Sequence, residues 1–211
     1  TISVWLNLDA PGTTTNYMLC AHGASDAAYG TIFTLSATTG YCNFGRKGAT
    51  DLSKLGAVAP STGTWEHWLV THDGTFTDHN TVHIYRDGSE ISYGAGSTNG
   101  VTEAAVTGSW SLGGRIYDDA RNLNGKLAEV GVWNLVLTAD EIAALKAGYA
   151  PGFFPSGLLF GPHLLGYTAE PDPISGLVAT HDGTTVADHP RIIYPATYFI
   201  LGVPAAAAAP T

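Results

Sequence analysis

Two neighbouring segments that each end in Asp-Gly constrain the fold of this chain most strongly. The first, residues 64–74, is TWEHWLVTHDG, and the second, residues 82–88, is VHIYRDG. Apolar and polar side chains alternate in both, and Asp-Gly supplies the positive φ that a tight turn between antiparallel strands requires. The sequence therefore predicts a strand-turn-strand unit, with Trp65 and Trp68 on opposite faces of its first strand.

Strand-like segments separated by turn-forming residues recur over the first two thirds of the chain. The predicted strands are residues 2–8, 17–23, 29–35, 40–46, 65–72, 81–87, 90–94, 109–114 and 126–134. Their short length and the Gly, Asp and Asn residues between them are typical of an antiparallel β-sandwich. The predicted fold class is therefore all-β, with two sheets.

One short segment predicts a helix. Thr138 is a good N-cap residue, Glu141 completes a capping box with it, and Gly148 is well placed to end the helix. Ile142 and Leu145 lie three residues apart, so we expect this helix to pack one apolar edge onto the sandwich.

Composition excludes several classes of partner. The 211 residues carry a formal net charge of −9, and only 13% of them are charged. Phosphate binding needs a basic patch, so we expect neither nucleic acid nor an anionic membrane as a partner.

The chain begins at Thr1 rather than Met, which indicates a processed or partly represented protein. Cys20 and Cys42 lie in neighbouring predicted strands and are either a cross-sheet disulfide or buried free thiols.

The amino-acid composition changes after Gly148. Nine of the eleven prolines lie in residues 151–211, and Arg191 is the only Lys or Arg there. Proline cannot donate to a β-ladder, so this segment is not a central part of the sheet. It is nevertheless rich in large apolar residues, among them Phe153, Phe154, Phe160, Ile192, Ile193, Tyr194, Tyr198 and Phe199. We therefore predict a sandwich over 1–148 and an arm over 149–211 that packs on its own sandwich or on a neighbouring subunit.

Four blocks of the sequence are similar to laminin-G-like domains of the concanavalin A-like lectin superfamily. They are residues 1–6 (TISVWL), 65–88, 110–114 (WSLGG) and 123–134 (LNGKLAEVGVWN), the last leading into the predicted helix. The resemblance covers about residues 1–147 and implies a two-sheet jelly roll. The family normally has a further strand before the segment corresponding to residues 1–8. Its absence leaves an edge for the arm, or for residues before Thr1, to cover.

The arm has a resemblance of its own. Residues 184–195 (TTVADHPRIIYP) look like the tail that follows such domains in proteins of tailed bacteriophages. The resemblance implies a virion surface protein, a capsid decoration or tail component, assembling with copies of itself and with other virion proteins. The alternative is an extracellular carbohydrate-binding lectin or adhesion module.

Enzymatic activity is not expected. Glycoside hydrolases that share the fold implied by this resemblance need two carboxylates a few ångströms apart, and the family closest in fold has them in an E-x-D-x-x-E pattern on one strand. The glutamates near predicted strands, Glu66, Glu90, Glu103 and Glu129, have no Asp or Glu two or five residues later. No G-x-S-x-G segment, which would indicate the nucleophilic serine of a hydrolytic triad, occurs. His67 is similar to a histidine in the corresponding hairpin of the family, and we assign it a structural rather than a catalytic role.

Sugar binding would need an exposed aromatic side chain. Trp5, Trp65, Trp110 and Trp133 match positions expected in the core, which leaves Trp68 and Tyr117 as candidates.

Calcium is the candidate cofactor, because hard oxygen ligands on loops suit it and related domains often hold it at the sandwich rim. The candidate ligands are Asp118 and Asp119, joined by Asp73. A solvated turn explains the adjacent aspartates equally well.

Overall fold

The computed structural model describes residues 1–10, 16–22, 29–36, 39–104, 109–114, 121–167, 169–180 and 184–195. These ranges contain strands β1 (Ile2–Leu8), β2 (Asn16–His22), β3 (Tyr29–Leu35), β4 (Cys42–Arg46), β5 (Gly48–Thr50), β6 (Leu52–Leu55), β7 (Trp65–His72) and β8 (Val82–Arg86). They continue with β9 (Ser89–Glu90), β10 (Val101–Glu103), β11 (Ser109–Leu112), β12 (Gly125–Trp133), helix α1 (Ala139–Lys146), β13 (Leu158–Phe160), β14 (Ala169–Pro171) and β15 (Val178–Thr180). None of the helices in these ranges has the length and apolar character needed to cross a bilayer.

Two antiparallel sheets form the sandwich. One has six strands in the order β13-β12-β1-β7-β8-β9, and the other has five in the order β11-β2-β3-β4-β6. Two small ribbons, β10-β5 and β14-β15, complete the described strands. The predicted all-β, two-sheet jelly roll with one short helix is confirmed.

The main core lies between the two sheets. Alternate residues of β1 face it, because successive side chains of a strand point to opposite faces. Val4 and Leu6 from the six-stranded sheet meet Phe33 and Phe44 from the five-stranded sheet, and all four are buried. Trp68 lies in the same cluster and is fully buried.

A second apolar cluster covers the outer face of the six-stranded sheet. Its buried members are Leu69, Trp133, Leu137, Ile142, Leu145 and Leu158, which come from that sheet, the segment leading into α1, α1 itself and the arm. Both faces of β7 are therefore buried, with α1 on the outer side. The predicted packing of Ile142 and Leu145 is confirmed.

Helix α1 begins as predicted. The Thr138 hydroxyl accepts a hydrogen bond from the Glu141 backbone N–H at 3.3 Å, and the Glu141 carboxylate accepts one from the Thr138 N–H at 2.7 Å. Gly148 follows the helix with φ +95°, a conformation that glycine adopts without strain.

Removing this cap should cost measurable stability. We expect Thr138→Ala to lower the free energy of unfolding by about 1 kcal/mol, because the Glu141 N–H loses its acceptor. Urea denaturation measures the change, and Thr138→Ser, which keeps the hydroxyl, is the matched control. Equal stability of the Ala and Ser variants would show that the cap contributes nothing.

The described part of the arm packs on its own chain. Strand β13 pairs with β12 at the edge of the six-stranded sheet, with Phe160 opposite Val132 and Leu158 opposite Trp133. The Phe154 carbonyl accepts a hydrogen bond of 2.8 Å from Trp133 Nε1. The arm thus covers the edge for which the sequence predicted a cover, and β13 is the outermost strand of the six-stranded sheet on that side.

Two buried carboxylates organise the stretch of arm that has little regular structure. Glu170 accepts hydrogen bonds from the backbone N–H groups of Leu165, Gly166 and Tyr167, at 2.7–3.2 Å. Asp172 accepts bonds of 3.1 Å from the N–H groups of Gly161, Ile174 and Ser175. These bonds satisfy backbone donors that a β-ladder would otherwise satisfy, so the segment has a defined shape without being a strand.

The aromatic and aliphatic residues predicted to dock the arm have different environments. Phe154, Phe160, Ile192 and Tyr194 are partly buried, whereas Phe153 and Ile193 are more than a third exposed. Tyr198 and Phe199 lie outside the described residues. Docking of the arm on neighbouring subunits stays a prediction.

Candidate functional site

An open cleft of about 450 Å³ lies at one end of the sandwich, where strands of both sheets end. Thr1 at the start of β1, His72 at the end of β7 and Val132 on β12 belong to the six-stranded side. Thr31, Arg46 and Trp110 belong to the five-stranded side. The loop residues Asp73 and Gly74 complete the rim beside β7.

Trp110 supplies the exposed aromatic surface of the cleft. It shares a face of β11 with Leu112, which packs against the main core, so Trp110 points toward the space between the sheets. At the end of the sandwich that space is open, and Trp110 is 46% exposed. Its prediction as a core residue is wrong, because the core does not extend to the start of β11.

Arg46 and His72 form the polar wall of the cleft. Arg46 Nη1 lies 3.4 Å from His72 Nδ1, and His72 Nε2 lies 3.1 Å from the carbonyl oxygen of Thr75. A guanidinium only donates, so Nδ1 must accept and Nε2 must carry the proton. Burial lowers the pKa of His72, in agreement with this neutral form. The other Arg46 terminal nitrogen pairs with the Glu103 carboxylate.

Asp73 offers an acceptor at the rim. Its Oδ1 accepts a hydrogen bond of 2.8 Å from the Thr75 backbone N–H, and this bond lowers the pKa of the exposed carboxyl group. The carboxylate is therefore ionised at neutral pH and can accept hydrogen bonds from hydroxyl groups in the cleft. Aromatic, guanidinium and carboxylate groups around one opening are a set that can bind a polyhydroxylated ligand.

Trp68, a predicted carbohydrate contact, does not line the cleft. Trp68 faces the main core and is fully buried, and its Nε1 donates a hydrogen bond of 3.1 Å to Glu66. Trp65, predicted to be the core residue of the pair, lies on the opposite face and is only partly buried. The prediction of Trp68 as a carbohydrate contact is wrong, because no ligand can reach an indole between the two sheets.

The other predicted site residues, Tyr117, Asp118 and Asp119, lie outside the described residues. Among the residues that are described, no group of three or more His, Cys, Asp or Glu side chains is arranged to hold a metal ion. The calcium site thus stays a prediction that depends on Asp118 and Asp119.

His67 has the structural environment expected for it. Its side chain is buried on the outer face of β7, where its Nε2 lies 2.8 Å from the Ser3 hydroxyl. Burial lowers the pKa of His67 to about 3, so the imidazole is neutral at physiological pH. Cys42 is also buried and is a free thiol, whose pKa burial raises.

The four glutamates considered for glycosidase chemistry have separate roles. Glu66 pairs with Arg86, Glu103 with Arg46, and Glu90 with His83. Glu129 pairs with histidines of the arm. Each carboxylate is thus engaged with a different set of basic side chains.

Comparisons with known proteins agree with this architecture. A protein-family model described as the concanavalin A-like lectin/glucanases superfamily matches residues 1–143. A Bacteroides ovatus protein that carries a provisional carbohydrate-binding assignment has a similar structure, with 18% identity and a TM-score of 0.64. The similarity covers 91% of this chain and 54% of that protein.

A second similar structure is domain 4 of a GH43 extracellular arabinanase from Geobacillus stearothermophilus, solved in complex with arabinotriose. It has 18% identity and a TM-score of 0.51, and the similarity covers 69% of this chain and 65% of that domain. A comparison with curated protein sequences gives no significant match. The family match, which spans most of the chain including all of the sandwich strands up to α1, shows that this protein belongs to the concanavalin A-like lectin/glucanase superfamily.

Proposed function

We propose that this chain is a non-enzymatic carbohydrate-binding module, and that the cleft at the end of the sandwich holds the glycan. The exposed indole of Trp110 at the mouth of that cleft is the observation that carries the proposal. Aromatic faces bind the apolar C–H surfaces of sugar rings, while neighbouring polar groups select the hydroxyl groups. The carbohydrate-binding assignments of similar structures support it.

The charges around the cleft favour a neutral glycan. Both terminal nitrogens of Arg46 are engaged, one with His72 and one with Glu103, so the guanidinium offers no free fork for an acidic sugar. The Asp73 carboxylate at the rim and the chain's net charge of −9 repel anions. Arabinotriose is a suitable first probe, since it is neutral and is bound by a domain of similar fold.

The direct test is replacement of Trp110. We expect Trp110→Ala to weaken binding of the glycan by about 30-fold, which corresponds to the roughly 2 kcal/mol that an aromatic hot spot contributes. Isothermal titration calorimetry with arabinotriose, preceded by a glycan array to find stronger ligands, measures the change.

Tyr167→Ala is the matched control, because Tyr167 is 53% exposed but lies on the arm, outside the cleft. Selective binding that is lost in Trp110→Ala and kept in Tyr167→Ala supports the proposal. Binding that Trp110→Ala leaves unchanged, or an array with no ligand, contradicts it.

The role in a bacteriophage virion, with a position on the virion surface, stays a prediction from the resemblance of the arm. The prediction of a virion role depends on an arm that is too rich in apolar residues to lie in solvent. The described part of the arm packs partly on its own sandwich, through β13 and Phe154, while residues such as Leu159 and Leu177 are exposed. Carbohydrate binding is our first proposal because the exposed Trp110 and the similar structures support it. Light scattering on the intact chain tests the predicted self-association.

A further inference from the structure

A buried carboxylate on β12 joins the sandwich to the last described stretch of the arm. The Glu129 side chain is only 1% exposed. It accepts a hydrogen bond of 2.6 Å from the Tyr194 hydroxyl, and its other oxygen lies 2.9 Å from His163 Nδ1. His189 Nε2 lies 3.4 Å from the first oxygen.

The backbone at Glu129 is shaped for this contact. Its φ is +50°, a left-handed conformation that costs a non-glycine residue free energy. It lies where the register of β12 against β1 shifts, between the pairs Ser3–Gly131 and Trp5–Ala128. Such a bulge redirects a side chain out of the regular alternation. The redirected carboxylate accepts hydrogen bonds from Tyr194 and His163 and lies beside His189.

The geometry of His189 requires a proton on both ring nitrogens. Nδ1 lies 2.9 Å from the carbonyl oxygen of Pro190, and Nε2 lies 3.2 Å from the carbonyl oxygen of His163, beside the Glu129 carboxylate. All of these oxygens are acceptors, and a neutral imidazole has only one N–H to donate. His189 therefore fits its surroundings as an imidazolium, which supplies a positive charge to the buried carboxylate.

Two backbone hydrogen bonds join this part of the arm to the residues that follow α1. The Ile193 N–H donates to the Gly148 carbonyl at 2.7 Å, and the Ala150 N–H donates to the Ile193 carbonyl at 2.9 Å. Ile193 is itself 44% exposed, and residues 184–188 are exposed. The cluster at Glu129 adds a side-chain attachment of residues 184–195 to the sandwich.

We propose that His189 and Glu129 form a pH-sensitive latch, which holds residues 184–195 on the sandwich when His189 is protonated and releases them as the pH rises. Deprotonation would leave a nitrogen lone pair facing an oxygen and would remove the positive charge beside a buried carboxylate. The proposal is independent of glycan binding.

The direction of the pH dependence follows from the groups around the latch. Burial alone lowers the pKa of His189, but hydrogen bonds to Glu129 and to the carbonyls of Pro190 and His163 outweigh it, so the pKa is raised. The stabilisation by His189 is therefore complete below its ordinary pKa of 6.5 and is lost as the pH rises through the raised value.

The charge states of Glu129 and Tyr194 do not reverse this direction. Burial raises the pKa of Glu129, but bonds from His163, His189 and Tyr194 lower it overall, so the carboxylate stays ionised at neutral pH. Burial and then Glu129 raise the pKa of Tyr194, with a further contribution from Glu170, so the phenol stays neutral. His163 is the second imidazole of the cluster, and its Nδ1 contacts Glu129.

NMR spectroscopy of the full chain tests the latch. The ¹⁵N shifts of the His189 ring report its protonation, and the exchange protection of the Ile193 amide, corrected for intrinsic exchange, reports release. We expect an imidazolium at pH 6 and a fall in protection of about threefold or more between pH 6 and pH 8.5. In His189→Gln the protection should be low and independent of pH.

His83→Gln is the matched control, because His83 also pairs with a glutamate, Glu90, but lies on β8. It should keep the pH dependence of the unmodified chain. Glu129→Gln should lower the pH at which the His189 ring loses its proton, because the imidazolium loses its counter-charge. A neutral His189 at pH 6, or equal protection at both pH values in the unmodified chain, overturns the proposal.

Discussion

Replacement of Trp68 by alanine is expected to lower the free energy of unfolding by about 3–5 kcal/mol, the usual cost of removing a large aromatic side chain from a core. Trp68 is fully buried between the sheets. Its Nε1 donates to Glu66 and the Arg86 guanidinium lies 5.9 Å from its ring centroid, so the variant leaves a cavity and removes a donor from a buried carboxylate.

Urea denaturation followed by far-UV circular dichroism measures this change. Trp110→Ala is the matched control, since it removes the same side chain from a position that is 46% exposed. We expect the control to cost about 1 kcal/mol or less, the range of surface substitutions. Equal costs for the two variants would contradict the placement of Trp68 in the core.

Replacement of Arg86 by methionine is expected to cost about 3 kcal/mol, because it leaves a buried carboxylate without its counter-charge. The Glu66 side chain is 6% exposed and pairs with Arg86, and it also accepts from the Trp68 indole and from the Ser61 N–H. The value is at the lower end of the usual range, because the Arg86 side chain is 32% exposed and water can partly replace it.

A double-mutant cycle with Glu66→Gln separates the ion pair from packing. The double variant should recover part of the loss, since the amide no longer carries a buried charge. Arg46→Met is the matched control: its partner Glu103 is 44% exposed, so we expect a cost of about 1 kcal/mol or less. If Arg86→Met and Arg46→Met cost the same, the Glu66 pair is not a buried one.

The two tryptophans of β7 show what the alternation of side chains predicts about a strand and what it does not predict. The sequence correctly predicts that Trp65 and Trp68 lie on opposite faces, because the period of a strand is two. It does not say which face lies between the sheets. Helix α1 and the arm cover the outer face, so Leu69 and His67 on that face are as buried as Trp68. Apolar residues therefore occur on both faces, and hydrophobicity alone cannot distinguish them.

The sequence pattern does not predict the candidate cleft, for a related reason. Trp110 has the strand context of a core residue, and its position at the open end of the sandwich is what exposes it. Arg46, His72 and Asp73 have no shared motif, because they belong to the ends of different strands that the sandwich brings together. Residues 115–120, which include the predicted site residues Tyr117, Asp118 and Asp119, lie outside the described residues.

The sequence by itself determined the all-β class, the longer strands of the sandwich, and the helix with its cap. It did not predict β5, β6, β10 or the strands of the arm, and of the predicted strand 90–94 only Glu90 lies in a strand. The features that it determined depend on neighbouring residues, through side-chain alternation, Asp-Gly turns and the reciprocal bonds of Thr138 and Glu141. The tertiary structure decided which face of each strand is inside, where a cleft opens, and how Glu129 meets histidines 34 and 60 positions later, His163 and His189. Contacts over such separations depend on sheet packing and on the path of the arm, which no local pattern records.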